Sequence, residues 1–209
     1  MPADSAKIEI TPPRRFTAGA VAVVSAYGLS LIMPIFLAII AVSVIKLSIF
    51  TVLIPLLALA ATAYFLPFGL GNTHITRLVR SLPPDAGPGG ERFIVQLTLS
   101  PRLRSGLRAL LEDADDIGYL TLSGTHLCFQ GDSVKLWVPW EDIQLVRPQN
   151  IGWRGLFVYG RRIKLVVSGW PNVDAFEFAE RSSWLLPASR AITRRLSRQL
   201  SASVPPKQN

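Results

Sequence analysis

The sequence predicts an α+β protein in which a transmembrane helical hairpin precedes a small antiparallel β-barrel or sandwich that a C-terminal helix closes. Three observations lead to this prediction. Two stretches of thirty residues, 16–45 and 47–76, contain no charged residue. Short runs with alternating apolar side chains, separated by turn-forming residues, occupy positions 92–178. An amphipathic segment with helical spacing follows at 188–200.

The two uncharged stretches are also strongly apolar. A transmembrane helix needs about 20 apolar residues to cross a hydrocarbon core about 30 Å thick, so each stretch is long enough. A single helix through both stretches would be too long for a bilayer. We therefore expect a hairpin over residues 16–71, with a turn near residues 41–46 and Lys46 at the lipid–water boundary.

Basic residues flank the outer ends of this predicted hairpin: Lys7, Arg14, Arg15, Arg77 and Arg80. The positive-inside rule then predicts a multi-pass protein of the inner or plasma membrane with both termini in the cytoplasm, including the N-terminal segment 1–15. The single cysteine, Cys128, suits a reducing compartment.

Small residues recur four apart in the first uncharged stretch, at Ala18, Ala22, Ala26 and Ser30. This spacing places them on one helical face, where close backbone approach becomes possible. The pattern predicts helix–helix packing, within the hairpin, in a homo-oligomer or against a protein partner.

The rest of the chain predicts one further domain. Residues 81–90, SLPPDAGPGG, are rich in proline and glycine, which favours a linker over residues 72–90. A domain is expected at 91–200 and a disordered tail at 201–209. A short helix is expected to begin at Ser100–Pro101 and to end near Leu111. The predicted strands are 92–100, 119–122, 125–129, 134–138, 142–147, 156–159, 162–167 and 175–178.

One segment of this domain has a family resemblance. Residues 118–148, GYLTLSGTHLCFQGDSVKLWVPWEDIQLVRP, resemble the core of a GRAM domain, a member of the pleckstrin-homology (PH) superfamily. The similarity lies in the first strand with its glycine, in the HLCF strand and in the VPWEDI step. It implies a PH-like barrel or sandwich with the segment 188–200 as its capping helix. A two-span hairpin that carries such a domain resembles a class of small bacterial membrane proteins.

The sequence favours a non-enzymatic protein without a metal or cofactor. Gly131–Asp132–Ser133 is similar to the start of certain lipase motifs, but it is also ordinary turn chemistry. A catalytic serine needs a histidine held beside it. The only histidines are His74, expected beside the membrane, and His126, expected within a strand. The acidic run at 112–116 lacks the alternating spacing of a calcium loop.

Two groups of basic residues give the best indication of function. One group of candidate residues surrounds a predicted hairpin, and a second group lies on the predicted C-terminal helix: Trp153, Arg154, Arg161, Arg162 and Lys164, and then Arg190, Arg194, Arg195 and Arg198. Such groups suit anionic membrane lipids or a protein partner at the membrane surface. Nucleic acid is not expected, because no recognised binding motif occurs. The alternative function is an accessory subunit of a larger transport or envelope complex.

Overall fold

The computed structural model describes residues 7–46, 48–65, 69–83, 90–103, 114–149 and 162–205. Its strands are β1 (Lys7–Ile10), β2 (Arg92–Ser100), β3 (Asp116–Leu122), β4 (His126–Gly131), β5 (Val134–Pro139), β6 (Ile143–Gln149), β7 (Arg162–Val167) and β8 (Ala175–Glu180). Its helices are α1 (Ala18–Ser43), α2 (Ile49–Phe65), α3 (Gly69–Arg80) and α4 (Leu186–Ser203), together with a 3₁₀ turn at Trp140–Asp142.

The strands form one antiparallel sheet in the order β1-β5-β4-β3-β2-β8-β7-β6. Consecutive strands from β2 to β5 pair with each other, and so do consecutive strands from β6 to β8. β8 also pairs with β2, which joins the two groups into one sheet. The order therefore places β6 at one edge. The other edge is β1, which pairs with β5 from Lys7 opposite Trp137 to Ile10 opposite Val134. Part of the predicted N-terminal segment 1–15 thus belongs to the sheet.

Most predicted strands have a counterpart. The strands at 92–100 and 162–167 have the predicted bounds, and five others differ by three residues or fewer at either end. The expected strand at 156–159 lies outside the described residues. The expected helix does not begin at Ser100–Pro101, because residues 101–103 are not helical. The rest of the predicted helix lies outside the described residues. The C-terminal helix extends beyond both predicted ends.

The predicted transmembrane hairpin at 16–71 is wrong. In the described parts of the chain, no helix combines the length and the apolar character that a bilayer crossing requires. α2 has 17 residues, and a helix of that length extends only about 26 Å, less than a hydrocarbon core of about 30 Å. The predicted multi-pass localisation and the cytoplasmic termini depended on those spans, and they are corrected with them.

Internal packing explains part of the apolar character of these stretches. The second stretch is divided between α2 and α3, and α3 buries Ile75 and Val79 against the domain. Val21 and Val24 of α1 belong to the same buried cluster. A stretch without charge can therefore serve the interior of the protein. The predicted small-residue face is not this contact, because Ala22 and Ala26 are exposed.

Large apolar side chains are nevertheless exposed on α1, on α2 and in the turn between them. They are Met33, Phe36, Leu37, Ile39 and Ile40 on α1, Val44 and Ile45 in the turn, and Ile49, Phe50, Leu53, Ile54 and Leu57 on α2. So many exposed apolar side chains usually mark a surface that binds another molecule.

The sheet is covered on both faces. Its inner face forms the main core with alternate strand residues, such as Val95, Leu97 and Phe178, and with Leu196 and Leu200 of α4. Its outer face packs Ile117 against the buried side of α1 and α3. This arrangement holds α4 across the inner face beside the edge strand β6, with one side of the helix left open.

Candidate functional site

The C-terminal helix α4 is positioned by its buried side. Ser189, Thr193, Leu196 and Leu200 are all buried, and their spacing of three or four residues gives one helical face. The first turn is also tied to β8, because the hydroxyl of Ser189 donates to the buried carboxylate of Glu180. The opposite side of α4 is therefore fixed in its orientation toward the surface.

Three of the predicted arginines share one flank of α4. Arg190, Arg194 and Arg198 are four residues apart, and we call them the arginine row. Arg194 and Arg198 are exposed and Arg190 is half-buried. No acidic residue occurs in the sequence of α4. Within the described parts of the chain, no carboxylate pairs with the arginine row, and Arg194 Nε donates only to the carbonyl of Arg190 at 3.3 Å.

Arg195 is separate from the arginine row. Its guanidinium forms an ion pair with Glu91 at 2.6 Å and lies 5.5 Å from the ring centroid of Phe93. Both partners belong to the beginning of the β2 region, on the other flank of α4. The positive charge of Arg195 is thus already compensated by the domain itself.

The structure does not bring the two predicted basic groups together. Arg162 of β7 is 2 % exposed, and its NH1 contacts Glu177 at 3.3 Å and Thr98 at 3.1 Å. Lys164 is half-buried and lies opposite Glu177 in the sheet. Arg162 therefore serves the interior rather than an exposed binding face.

The other members of that first group, Trp153, Arg154 and Arg161, lie outside the described residues. An exposed tryptophan occurs elsewhere. Trp184 is 55 % exposed, and it lies two residues before Leu186, where α4 begins. Together with the exposed Leu185, it adds an apolar element beside a basic helix.

The arginine row borders a groove between α4 and β6. The groove is about 570 Å³ in volume and is lined by Pro148, Ala191, Thr193, Arg194, Ser197 and Arg198. Two arginines, a threonine, a serine and two small apolar residues thus line one space, and most of its lining is apolar. Such a lining can bind a phosphate or carboxylate by charge and hydrogen bonds, and it can also contact a short apolar group.

Sequence reasoning predicted the arginine row, but it missed the groove. Pro148 is about forty positions from α4 in the chain, and only the position of β6 at the sheet edge brings it close. Thr193 was missed because its spacing predicts an ordinary buried position. Its buried hydroxyl Oγ1, which has no hydrogen-bond partner among the residues that the structure describes, is apparent only from the three-dimensional structure.

The Gly131–Asp132–Ser133 segment connects β4 to β5 and has a structural role there. Asp132 accepts hydrogen bonds from the N-terminal segment, and the backbone N–H of Ser133 donates to Asp116 at 2.7 Å. Burial raises the pKa of Asp116 to about 6, although hydrogen bonds from backbone N–H groups partly offset this effect. The carboxylates of Asp116 and Asp132 thus stabilise this turn by accepting hydrogen bonds. Both residues are far from α4 in the sequence.

No model of a known protein family matches the chain, and a search of curated proteins finds no significant relative. The candidate site is therefore defined by its own geometry: a row of arginines that pairs with no carboxylate in the described parts of the chain, beside a groove between α4 and β6.

Proposed function

We propose that the protein is a non-enzymatic binding protein whose sheet domain docks on anionic phosphate headgroups through the arginine row of α4. One observation carries this proposal. Arg190, Arg194 and Arg198 share one flank of a helix that has no acidic residue. These three arginines pair with no carboxylate that the structure describes, so their charges can attract an anionic surface.

The expected energies are sufficient for reversible docking. Each basic residue beside an anionic lipid surface contributes about 1 kcal/mol, and the contribution decays within a Debye length of about 8–10 Å. Three arginines together would therefore strengthen binding by roughly a hundredfold at low salt. The exposed Trp184 and Leu185 add side chains that suit the interface between headgroups and acyl chains.

The resemblance to GRAM and PH domains is compatible with this proposal. The antiparallel strands β2 to β8 and a terminal helix packed on their inner face support it. The resemblance adds an expectation of binding rather than of catalysis.

Vesicle flotation with the full-length chain tests the proposal. The vesicles contain phosphatidylcholine alone or phosphatidylcholine with about a third of phosphatidylglycerol. We expect binding only to the anionic vesicles, and loss of that binding at 0.5 M salt. The full chain is needed because a fragment that begins at Glu91 lacks β1.

Matched variants identify the surface. The triple variant R190Q/R194Q/R198Q should lose most vesicle binding, whereas R195Q should retain it because Arg195 already pairs with Glu91. Equal binding by the triple variant and the wild type would refute docking through the arginine row. So would binding to neutral vesicles that is equally strong.

A second candidate is a subunit of a larger complex, as the alternative from the sequence suggests. The observation that favours it is the set of exposed apolar side chains on α1 and α2, which includes Phe36, Phe50 and Ile54. A partner protein that covers this surface would explain their exposure. Crosslinking in intact cells from a photoreactive group at Phe50 should then yield one discrete protein adduct, which F36K and I54K should abolish.

A further inference from the structure

We infer that the groove between β6 and α4 is a discrete site for one amphipathic phosphate, with its headgroup at Arg194 and Arg198 and its apolar part against Pro148 and Ala191. This inference rests on the proposed docking to anionic headgroups. It adds a defined ligand class and a stoichiometry of one, which surface attraction alone would not give.

Thr193 is a buried polar residue in the lining of the groove. It is 3 % exposed, and none of the described residues is a hydrogen-bond partner of its hydroxyl oxygen. A threonine within a helix commonly donates its hydroxyl to a carbonyl one turn earlier. Because a buried hydroxyl without a partner destabilises a fold, Thr193 would gain from a ligand whose binding turns this hydroxyl toward the groove and accepts its hydrogen bond.

The charge of the groove suits a phosphate group. Arg194 and Arg198 line the same groove, and the half-buried Ser197 lies between them in sequence. Guanidinium groups bind phosphate oxygens with paired N–H donors. Two guanidinium groups and two hydroxyl groups match a phosphate better than a neutral ligand, and no acidic residue of α4 opposes it.

The volume of the groove suits a ligand larger than a phosphate ion. A groove of about 570 Å³ lies within the range of small-molecule sites, about 300–1,000 Å³. A phosphate ion alone would fill only a small part of it. Pro148 and Ala191 offer the remaining space an apolar wall, so the ligand that fits is an anion with an attached apolar group.

Titration calorimetry with the full-length chain tests this inference. The probes are dihexanoyl phosphatidic acid below its micelle concentration, dihexanoyl phosphatidylcholine and inorganic phosphate. We expect one-to-one binding of the phosphatidic acid, and binding of the other two that is at least about tenfold weaker. Equal affinity for phosphatidylcholine or for inorganic phosphate would overturn the proposed ligand class.

Substitutions at Thr193 test the role of its hydroxyl. Thr193→Val removes the buried hydroxyl at almost constant volume, so it should raise the thermal midpoint of the ligand-free protein. The same change should weaken phosphatidic acid binding about tenfold, the effect of losing one hydrogen bond to a charged group. Thr193→Ser should bind within about threefold of the wild type, and Ser201→Ala, which changes an exposed hydroxyl of α4, should bind unchanged.

The results separate this inference from the proposed function. Wild-type affinity in Thr193→Val, or the absence of one-to-one binding, overturns the groove site even where anionic vesicles are still bound. A protein that binds neither anionic vesicles nor phosphatidic acid refutes the proposed function, and the groove site with it.

Discussion

The side-chain carboxylate of Asp132 accepts a hydrogen bond from the backbone N–H of Phe16 across 2.8 Å. The same oxygen accepts the N–H groups of Arg14 and Arg15 at 2.8 and 2.7 Å. Phe16 is fully buried, and α1 begins two residues later. The carboxylate thus fixes the point at which the chain leaves β1 and enters the helices.

Removal of this carboxylate should loosen that connection. Asp132→Ala leaves three backbone N–H groups without their acceptor, and we expect the free energy of unfolding to fall by about 1–3 kcal/mol. Hydrogen exchange should accelerate at the amides of residues 14–16. The control is Glu141→Ala, which removes an exposed carboxylate. An unchanged exchange rate in Asp132→Ala would contradict the role assigned to Asp132.

Asp116 should make the stability depend on pH. One of its oxygens accepts the N–H groups of Ser133 and Val134, each at 2.7 Å, and the other oxygen is buried. Burial raises the pKa of Asp116 from 3.8 to about 6. The folded state therefore holds this proton more tightly than the unfolded state, and the contribution to stability is lost as the pH rises through about 6.

The neutral variant Asp116→Asn isolates this effect. Between pH 5 and pH 7 the free energy of unfolding of the wild type should fall by about 1 kcal/mol more than that of Asp116→Asn, because the amide does not titrate in this range. Urea denaturation at the two pH values measures the difference. Parallel pH profiles of the two proteins would show that Asp116 titrates at its ordinary value.

Gly131 should resist substitution, because its position faces Asp116. A Cβ atom at Gly131 would lie 2.1 Å from the Oδ2 atom of Asp116 and 2.7 Å from a ring carbon of Phe129. We expect Gly131→Ala to lower the free energy of unfolding by about 1–3 kcal/mol. At Gly124 a Cβ atom would meet no atom within 4 Å. Gly124→Ala should therefore leave the thermal midpoint nearly unchanged, and an equal loss in both variants would contradict the steric explanation.

Local patterns predicted the strands of the domain because the apolar side chains of the main core alternate along them. In β2, Phe93, Val95, Leu97 and Leu99 alternate and all lie in the main core. β1 was not predicted, because its four residues pair with a strand more than a hundred positions away. No local pattern reports such pairing.

The absence of charge was misleading for a related reason. It predicts an apolar environment, but it does not distinguish lipid from the interior of the same chain. Val21 and Val24 lie in a sequence stretch that predicts a span, yet they pack in a buried cluster with Ile117 of β3. Similarly, the spacing of Arg190, Arg194 and Arg198 predicts a shared helical face, whereas the groove at Pro148 depends on tertiary structure.

Arg162 and Arg194 were predicted as members of one binding function, and their substitutions should now have opposite effects. Arg162 is buried beside Glu177 and Thr98, so Arg162→Gln leaves a mostly buried carboxylate without its partner and should cost about 2–4 kcal/mol of stability. Vesicle binding by the remaining folded protein should be unchanged. Arg194 is exposed, so Arg194→Gln should change stability by less than about 0.5 kcal/mol and should weaken binding to anionic vesicles about fivefold. Urea denaturation and flotation on the same preparations measure both quantities. If Arg162→Gln were stable but no longer bound vesicles, Arg162 would belong to the binding surface. That result would contradict the assignment of its charge to the interior.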